Sequence, residues 1–202
     1  MFEYRTAIGQ DSHRFENEPE KSGDSAGRFE NATERLGDSS ERFEYATEGS
    51  LDASASSDYY KPLVLGGIII PEICGLEGNS DADVVFHALT NAISGISCIN
   101  ILGAVSDEMC LGRKITDSQA YLEAALNTLG DYELVHISIS IECKRPKITP
   151  FIEMMRENIS KVTHIPSNSV GITATSGEGL TDFGRGQGIQ VFCIITVKRK
   201  IL

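Results

Sequence analysis

Asp11 and His13 stand two residues apart in the stretch QDSHRFEN, and on an extended strand residues at that spacing project from one face. Both can therefore reach a single ligand. His87 follows Asp83 by four positions in a segment patterned as a helix, which turns those two side chains the same way. Two histidines and a carboxylate make a zinc-type ligand set, and three protein ligands leave a fourth position for substrate. The residues alone leave a plainer alternative open, in which His13 closes a loop and His87 is a hydrogen-bonded core histidine.

A second segment, TATSGEGLTDFGRGQG, holds five glycines in 16 residues, with Thr, Ser, Glu and Arg between them. Such a stretch reads either as a loop whose amides and hydroxyls wrap phosphate oxygens or as a surface loop of turn residues. KRPKITP, residues 144–150, sets three cations beside two prolines, a rigid anion site or a solvated turn. His136 and His164 have no companion ligands nearby in sequence and read as structural.

The elements that must hold these groups follow from hydrophobic period. YRTAIGQDSHRF alternates as a first strand ending near His13, and KPLVLGGIIIPE reads as a strand or hairpin around Gly66 and Gly67, closed by Pro71. NSDADVVFHALTNAISGIS predicts a helix capped by Ser80 or Asp81. DSQAYLEAALNTLG predicts a second, capped near Asp117 or Ser118 and stopped by Gly130. ELVHISISIE is a strand, TPFIEMMRENISKVTHI a helix from about Pro150, SVGITATS a strand and GIQVFCIITVKR the last strand. This alternation predicts an α/β (α+β) domain, a single sheet with helices packed on one side.

The chain has 202 residues, which suits one core, and no window approaches the ~20 apolar residues of a membrane helix. Its net charge of -11 argues against a nucleic-acid surface. The five scattered cysteines lack zinc-knot spacing and read as reduced, mostly buried thiols, and the opening MFEYRTAIG is no secretory signal. These point to a cytoplasmic protein with neither membrane nor nucleic acid as partner.

Between Glu16 and about Tyr60 the composition turns to Glu, Ser, Gly, Asp and Ala, and the motif returns as GDSAGRFEN and GDSSERFEY. Phe15, Phe29 and Phe43 repeat every 14 residues, but Gly27 and Glu41 precede the arginine where His13 does in the first copy. The stretch cannot bury enough apolar surface to offset its ordering entropy. It reads as a mobile, low-complexity insertion, at about 16–60, in a single domain spanning 1–202.

Taken in order, IGQDSHRF, LGGIIIP, NSDADVVFHAL, ITDS, RPK and TATSGEGL with GRGQGI resemble the 2-C-methyl-D-erythritol 2,4-cyclodiphosphate synthase family, over nearly the whole chain outside the insertion. The resemblance implies a homotrimer with an active site at each subunit interface. It implies a metal-dependent phosphorus-oxygen lyase of non-mevalonate isoprenoid precursor biosynthesis. Such an enzyme converts 4-diphosphocytidyl-2-C-methyl-D-erythritol 2-phosphate to the 2,4-cyclodiphosphate and releases CMP. The substrate's own 2-phosphate attacks the β-phosphorus, so the protein need supply no nucleophile, and positioning and charge neutralisation carry the catalysis.

Carried onto this sequence, Asp11, His13 and His87 bind Zn2+ or another divalent cation, which serves as template and Lewis acid. Asp11 and His13 also meet the substrate. Glu178 holds Mg2+ or Mn2+ against the substrate diphosphate, and Thr175 and Ser176 touch its phosphates. Cys143, Lys144, Arg145, Pro146, Lys147, Ile148 and Thr149 line the cytosine and phosphate pocket. Asn79, Ser80 and Gly103 contact the methylerythritol phosphate. Asn79, Ser176 and Glu178 are the catalytic positions, and Arg185 lies near a cavity on the threefold axis that can hold an isoprenoid diphosphate.

The sequence departs from the family at several points. Asn79 replaces a common histidine and Ser176 a threonine, though each can still donate a hydrogen bond. Ile101 falls where an acidic residue often stands, LTDFGRG differs from the common Leu-Gly-Phe form, and Gln187 replaces a glutamate. These departures set a second expectation beside the enzyme, a catalytically weakened trimeric binding or scaffold protein of the same fold. A zinc hydrolase of another phosphate ester is a third.

Overall fold

The last strand explains how the sheet is built. In GIQVFCIITVKRK the side chains of Ile189, Val191, Cys193, Ile195 and Val197 are all buried, while Phe192 and Ile194 between them are exposed. One face of this strand meets the helices and the other is open, the period of two that a half-covered sheet requires. The computed structural model describes residues 1–16 and 61–201; apart from Glu16, the expected insertion lies outside the described residues.

The strands are β1 (Phe2–Arg14), β2 (Pro62–Leu65), β3 (Ile68–Cys74), β4 (Glu133–Glu142), β5 (Val170–Thr175) and β6 (Gly188–Lys200). The helices are α1 (Val84–Ser97), α2 (Ala104–Asp107), α3 (Ser118–Leu126) and α4 (Ile152–Thr163). The main sheet runs β1-β6-β4-β5, with β6 antiparallel to both neighbours and β5 parallel to β4. The fold is mixed α/β, with helices against one face of this sheet.

One correction concerns the single sheet: among the described residues β2 and β3 pair only with each other, as a separate two-stranded sheet. Gly66 and Gly67 form its turn, with φ of 59° and 75°, the paired left-handed geometry that twists a tight hairpin correctly. Pro71 does not close the hairpin, because β3 continues through it to Cys74, and a two-stranded edge tolerates its missing N–H.

A second correction concerns the start of α1. Its cap is Asp83, not Ser80 or Asp81. The Asp83 carboxylate accepts from Val85 N (2.9 Å) and Phe86 N (3.1 Å) in the helix, and from Gly66 N (2.9 Å) and Gly67 N (2.6 Å) in the hairpin turn. One carboxylate thus ties the small sheet to α1. Asp83 therefore does not turn toward His87 as the four-residue spacing predicts; its oxygens are consumed by these amides. α3 begins as expected, with Asp117 accepting from Gln119 N.

The ends of the described segments meet. Glu16 N donates to Gly75 O at 2.9 Å, and Lys61 N donates to the Glu16 carboxylate at 3.4 Å. Cys74, Cys143 and Cys193 are buried, Cys110 is half-buried and Cys98 exposed, and none of them forms a disulfide among the described residues. Burial pushes the Cys143 and Cys193 thiols up to about 12, which keeps them protonated and unreactive.

Candidate active site

The helix-facing positions near the end of β1 are Gly9, Asp11 and His13, opposite Cys193, Val191 and Ile189 of β6. α1 lies directly on this strand. A Cβ at Gly9 would fall 2.1 Å from Ala88 O and 2.3 Å from Ala92 N, so helix and strand backbones approach where a side chain is missing. The helix residue beside Ala88 is His87, and this contact brings its ring over Asp11. Gly9 escaped the sequence reading; its signal is a lone glycine in an alternating strand.

His87 Nδ1 lies 2.9 Å and His13 Nε2 3.0 Å from the same oxygen, Asp11 Oδ2. Ligand atoms of all three residues fall within 4.8 Å of one another. Burial pushes the Asp11 carboxyl up, but its bonds to His13 and His87 outweigh this and hold it well below the usual carboxylate range. The Asp11 hydrogen bond in turn raises His13 above its ordinary value, against the effect of burial. Two imidazoles and a carboxylate converging at this range are a donor set that could hold a divalent cation.

His87 is also held from behind. Its Nε2 is 2.8 Å from Ser118 Oγ, which bonds Asp81 Oδ1, and Ser118 N donates to Asp81 Oδ2 at 3.1 Å. Asp81 and Ser118 entered the sequence reading only as possible helix caps. The triad opens into a cavity of about 330 Å³ whose walls include Asn79, Ser80, Leu102, Ser106, Cys110 and Tyr121.

The loop carrying Asn79 and Ser80 is fastened by two side chains. Lys61 Nζ donates to Gly78 O (3.2 Å) and Ser80 O (2.8 Å), and Cys110 Sγ donates to Asn79 O (3.3 Å). Gly103 begins α2 with φ of 112° and meets nothing within 4 Å of a built Cβ. Ile101 is 4% exposed and belongs to the core, so its neighbour Leu102 faces the cavity instead. The short α2 and the wide turn Glu108–Gly112 that follows it had no clear periodic signal in the sequence.

The remaining expected site residues follow the inner strand β4, follow the edge strand β5 or precede β6. Cys143 N donates to Thr175 O and Lys144 N to Phe183 O, both at 3.1 Å, so residues 143–149 run beside the glycine-rich segment. Cys143 and Ile148 are buried and Pro146 half-buried, while Lys144, Arg145, Lys147 and Thr149 are exposed. The Arg145 guanidinium lies 5.0 Å over the Phe15 ring.

Thr175, Ser176, Glu178 and Arg185 are also exposed. Ser176 Oγ donates to Glu178 Oε1 at 2.8 Å, and Gly177, Glu178 and Gly179 all have positive φ. Arg185 donates to Asp182 (2.6 Å) and to the carbonyls of Gly179 and Leu180. The glycine-rich loop is therefore a tight turn with outward-facing polar groups. His136 is exposed on β4, and His164 ends α4 in the left-handed conformation.

Among the described residues, no helix is long and apolar enough to cross a membrane. The sequence profile of the YgbB family matches residues 50–198. A 2-C-methyl-D-erythritol 2,4-cyclodiphosphate synthase from Chlamydia caviae is 42% identical over 195 residues, covering 96% of this chain and 89% of the relative. One from Chlamydia trachomatis is 50% identical over 138 residues, covering 68% and 78%. The solved synthase from Plasmodium vivax superposes with a TM-score of 0.66 at 22% identity, over 98% of this chain and all (100%) of that one. A Plasmodium falciparum protein described as a CDP complex gives 0.64 at 20%, over 98% and 97%.

Proposed function

Since the chain belongs to the YgbB family, that of the 2-C-methyl-D-erythritol 2,4-cyclodiphosphate synthases, we propose that its cavity is the place where 4-diphosphocytidyl-2-C-methyl-D-erythritol 2-phosphate closes to the cyclodiphosphate. The protein is a lyase. An oxygen of the substrate's 2-phosphate bonds to the β-phosphorus, the bond from that phosphorus to the oxygen of the CMP group breaks, and CMP leaves with the electron pair. The observation that carries this reading is the convergence of Asp11, His13 and His87 within 4.8 Å at one cavity.

These three residues hold Zn2+ or another divalent cation. When bound, the cation supplies a Lewis acid and a template for phosphate oxygens. The chain's own task is positioning. Asn79 and Ser80, on a loop fastened by Lys61 and Cys110, orient the methylerythritol phosphate, with Gly103 beside them; the Asn79 amide donates to charge developing in the transition state. Ser176 does the same from the glycine-rich turn, and Thr175 beside it binds the phosphates. The exposed Glu178 carboxylate takes Mg2+ or Mn2+ with the diphosphate. Residues 143–149 receive the cytidine end, where the exposed Lys144 and Lys147 offer cations to phosphate.

The two groups of residues act on one substrate across a subunit interface, in a homotrimer. Two features support this. β1 and β5 are the opposite edges of a four-stranded sheet, three spacings or about 14 Å apart, too far for the triad and the β5 end of one chain to grip the same diphosphate. The open sheet face also presents Tyr4, Ile8, Phe192 and Ile194, which are 61%, 62%, 38% and 44% exposed. Exposed apolar side chains gathered on one sheet face, as Ile8, Phe192 and Ile194 are here, are characteristic of an interface. At the start of the last strand, Arg185 and Gln187 would face the axis. The chain outside the insertion acts as one domain.

The test is CMP release from the cytidine diphosphate substrate with Zn2+ and Mg2+ present, alongside the oligomeric state. Release by a trimer is expected. A folded, zinc-loaded protein that releases no CMP would instead be the scaffold reading, and inorganic phosphate or a linear product would mark a hydrolase.

A further inference from the structure

We propose that Ser118 and Asp81 are positioning residues that fix the tautomer of His87 and so turn its Nδ1 into a metal-binding atom. The inference rests on the reading of Asp11, His13 and His87 as a cation site, and it concerns groups that touch neither substrate nor cation.

The argument is a proton count. Ser118 Oγ carries one proton and has two partners, Asp81 Oδ1 and His87 Nε2, the latter at 2.8 Å. Asp81 is fixed as an acceptor: Ser118 N donates to its Oδ2 at 3.1 Å and Asp83 N to its Oδ1 at 3.2 Å. Both Asp81 oxygens thus face donors, and the Ser118 hydroxyl donates to Oδ1 as the third. Its oxygen can then only accept from the ring, and His87 must carry its proton on Nε2. In a neutral imidazole this leaves a lone pair on Nδ1.

That lone pair faces Asp11 Oδ2 at 2.9 Å, with His13 Nε2 3.0 Å from the same oxygen. A lone pair and a carboxylate oxygen repel at this range unless a proton or a cation lies between them. A proton on Nδ1 would close the triad into a hydrogen-bonded cluster, whereas a proton held on Nε2 leaves a place that a cation fills. Ser118 is fully buried and His87 is 8% exposed, so bulk water does not replace the hydroxyl. The sequence carries both parts, with Asp81 in NSDADVVFHAL and Ser118 in ITDS, separated by 37 residues. They meet because Asp81 N also donates to Thr116 O at 2.8 Å, which docks the start of α3 on the loop before α1.

The test measures zinc affinity by chelator competition on wild type and on Ser118→Ala, Asp81→Asn, Ser118→Thr and His87→Ala. Removing the partner of a ligating histidine typically costs ~10–100-fold in metal affinity. We expect that loss in Ser118→Ala and Asp81→Asn, and recovery to within a few-fold in Ser118→Thr, which keeps the hydroxyl. Asp117 still caps α3 in the Ser118 variants, and the unfolding temperature of metal-free protein reports any purely structural loss.

In zinc-loaded wild type, long-range 1H–15N spectra should show His87 protonated at Nε2. Ser118→Ala binding zinc as wild type does, or a proton found on Nδ1, overturns the relay while leaving the ligand set standing. Wild type that takes up no zinc, or His87→Ala that keeps it, overturns the ligand set and the relay with it.

Discussion

The two edges of the main sheet are built in opposite ways. At β1, Asp11, His13 and His87 project from a strand and a helix that touch backbone to backbone at Gly9, and each ring nitrogen of His87 faces an oxygen within 2.9 Å. At β5, Ser176 and Glu178 sit exposed on a turn and bond chiefly to each other. The first region is preorganised by its own chain. The second has its polar groups exposed among the described residues, with little of the chain's own structure to hold them. A binding constellation needs rigid support for each member, and one chain supplies this at only one of the two edges.

The comparison is broken most severely by removing a ligand. His87→Ala and His13→Ala should each abolish stoichiometric zinc and lower CMP release by more than the ~10–100-fold typical of losing a ligand's partner, read by metal analysis and CMP assay on the same preparation. Metal content unchanged in either variant would show that the first region is an ordinary buried histidine cluster. Next in size is Gly9→Ala. Its Cβ would meet Ala88 O at 2.1 Å, and helix and strand must separate, at a cost of about 3 kcal/mol or more. Thermal unfolding should show the loss, with zinc affinity falling alongside as His87 moves off Asp11. A variant of wild-type stability would mean that α1 does not rest on β1 as described.

The exposed region should respond differently. Glu178→Gln removes a carboxylate that packs against little, so stability should stay within ~0.5 kcal/mol and zinc content should not change. CMP release should nevertheless fall on the order of 100-fold, as when one preorganised group is removed from a transition state, and the Mg2+ requirement should rise. A loss of stability without loss of turnover would reverse the roles of the two regions.

How much of this was legible follows from the same contrast. Alternation in QDSHRF placed Asp11 and His13 on one face, and helical spacing placed His87 on a helix, because local period governs which way a side chain points. GIQVFCIITVKR read only as an apolar last strand, and the alternation of buried Ile189 to Val197 with exposed Phe192 and Ile194 became visible in the structure. Periodicity does not say which elements touch. The close approach at Gly9 and the bond between Asp81 and Ser118 join residues far apart in sequence, and each looked local: a strand glycine, a helix cap. Asp83 was misread for that reason, since nothing near it in sequence shows that the hairpin turn at Gly66 and Gly67 would claim its carboxylate. The separation of β2 and β3 from the main sheet is likewise a matter of partners, which hydrophobic pattern leaves open.

The smallest effect expected is also the one that most directly probes preorganisation in the first region. Burial lifts the Asp83 carboxyl to about 6, against amide bonds from Gly67, Gly66 and Phe86 that favour its charged form. In the unfolded chain the same group titrates near 3.9. A folded value above the unfolded one means that the folded protein binds the proton more readily. The stability this contributes is fully present below about pH 4 and is lost as pH rises to about 6. Asp83→Asn has no such titration. The stability difference between wild type and Asp83→Asn should therefore shrink as pH rises through that window, by no more than ~1.4 kcal/mol per pH unit, and level off above it. Urea unfolding of both proteins across the window reads the slope. A flat difference would mean that the four amides, not burial, set the protonation of Asp83, and that the cap between hairpin and helix is ionised throughout.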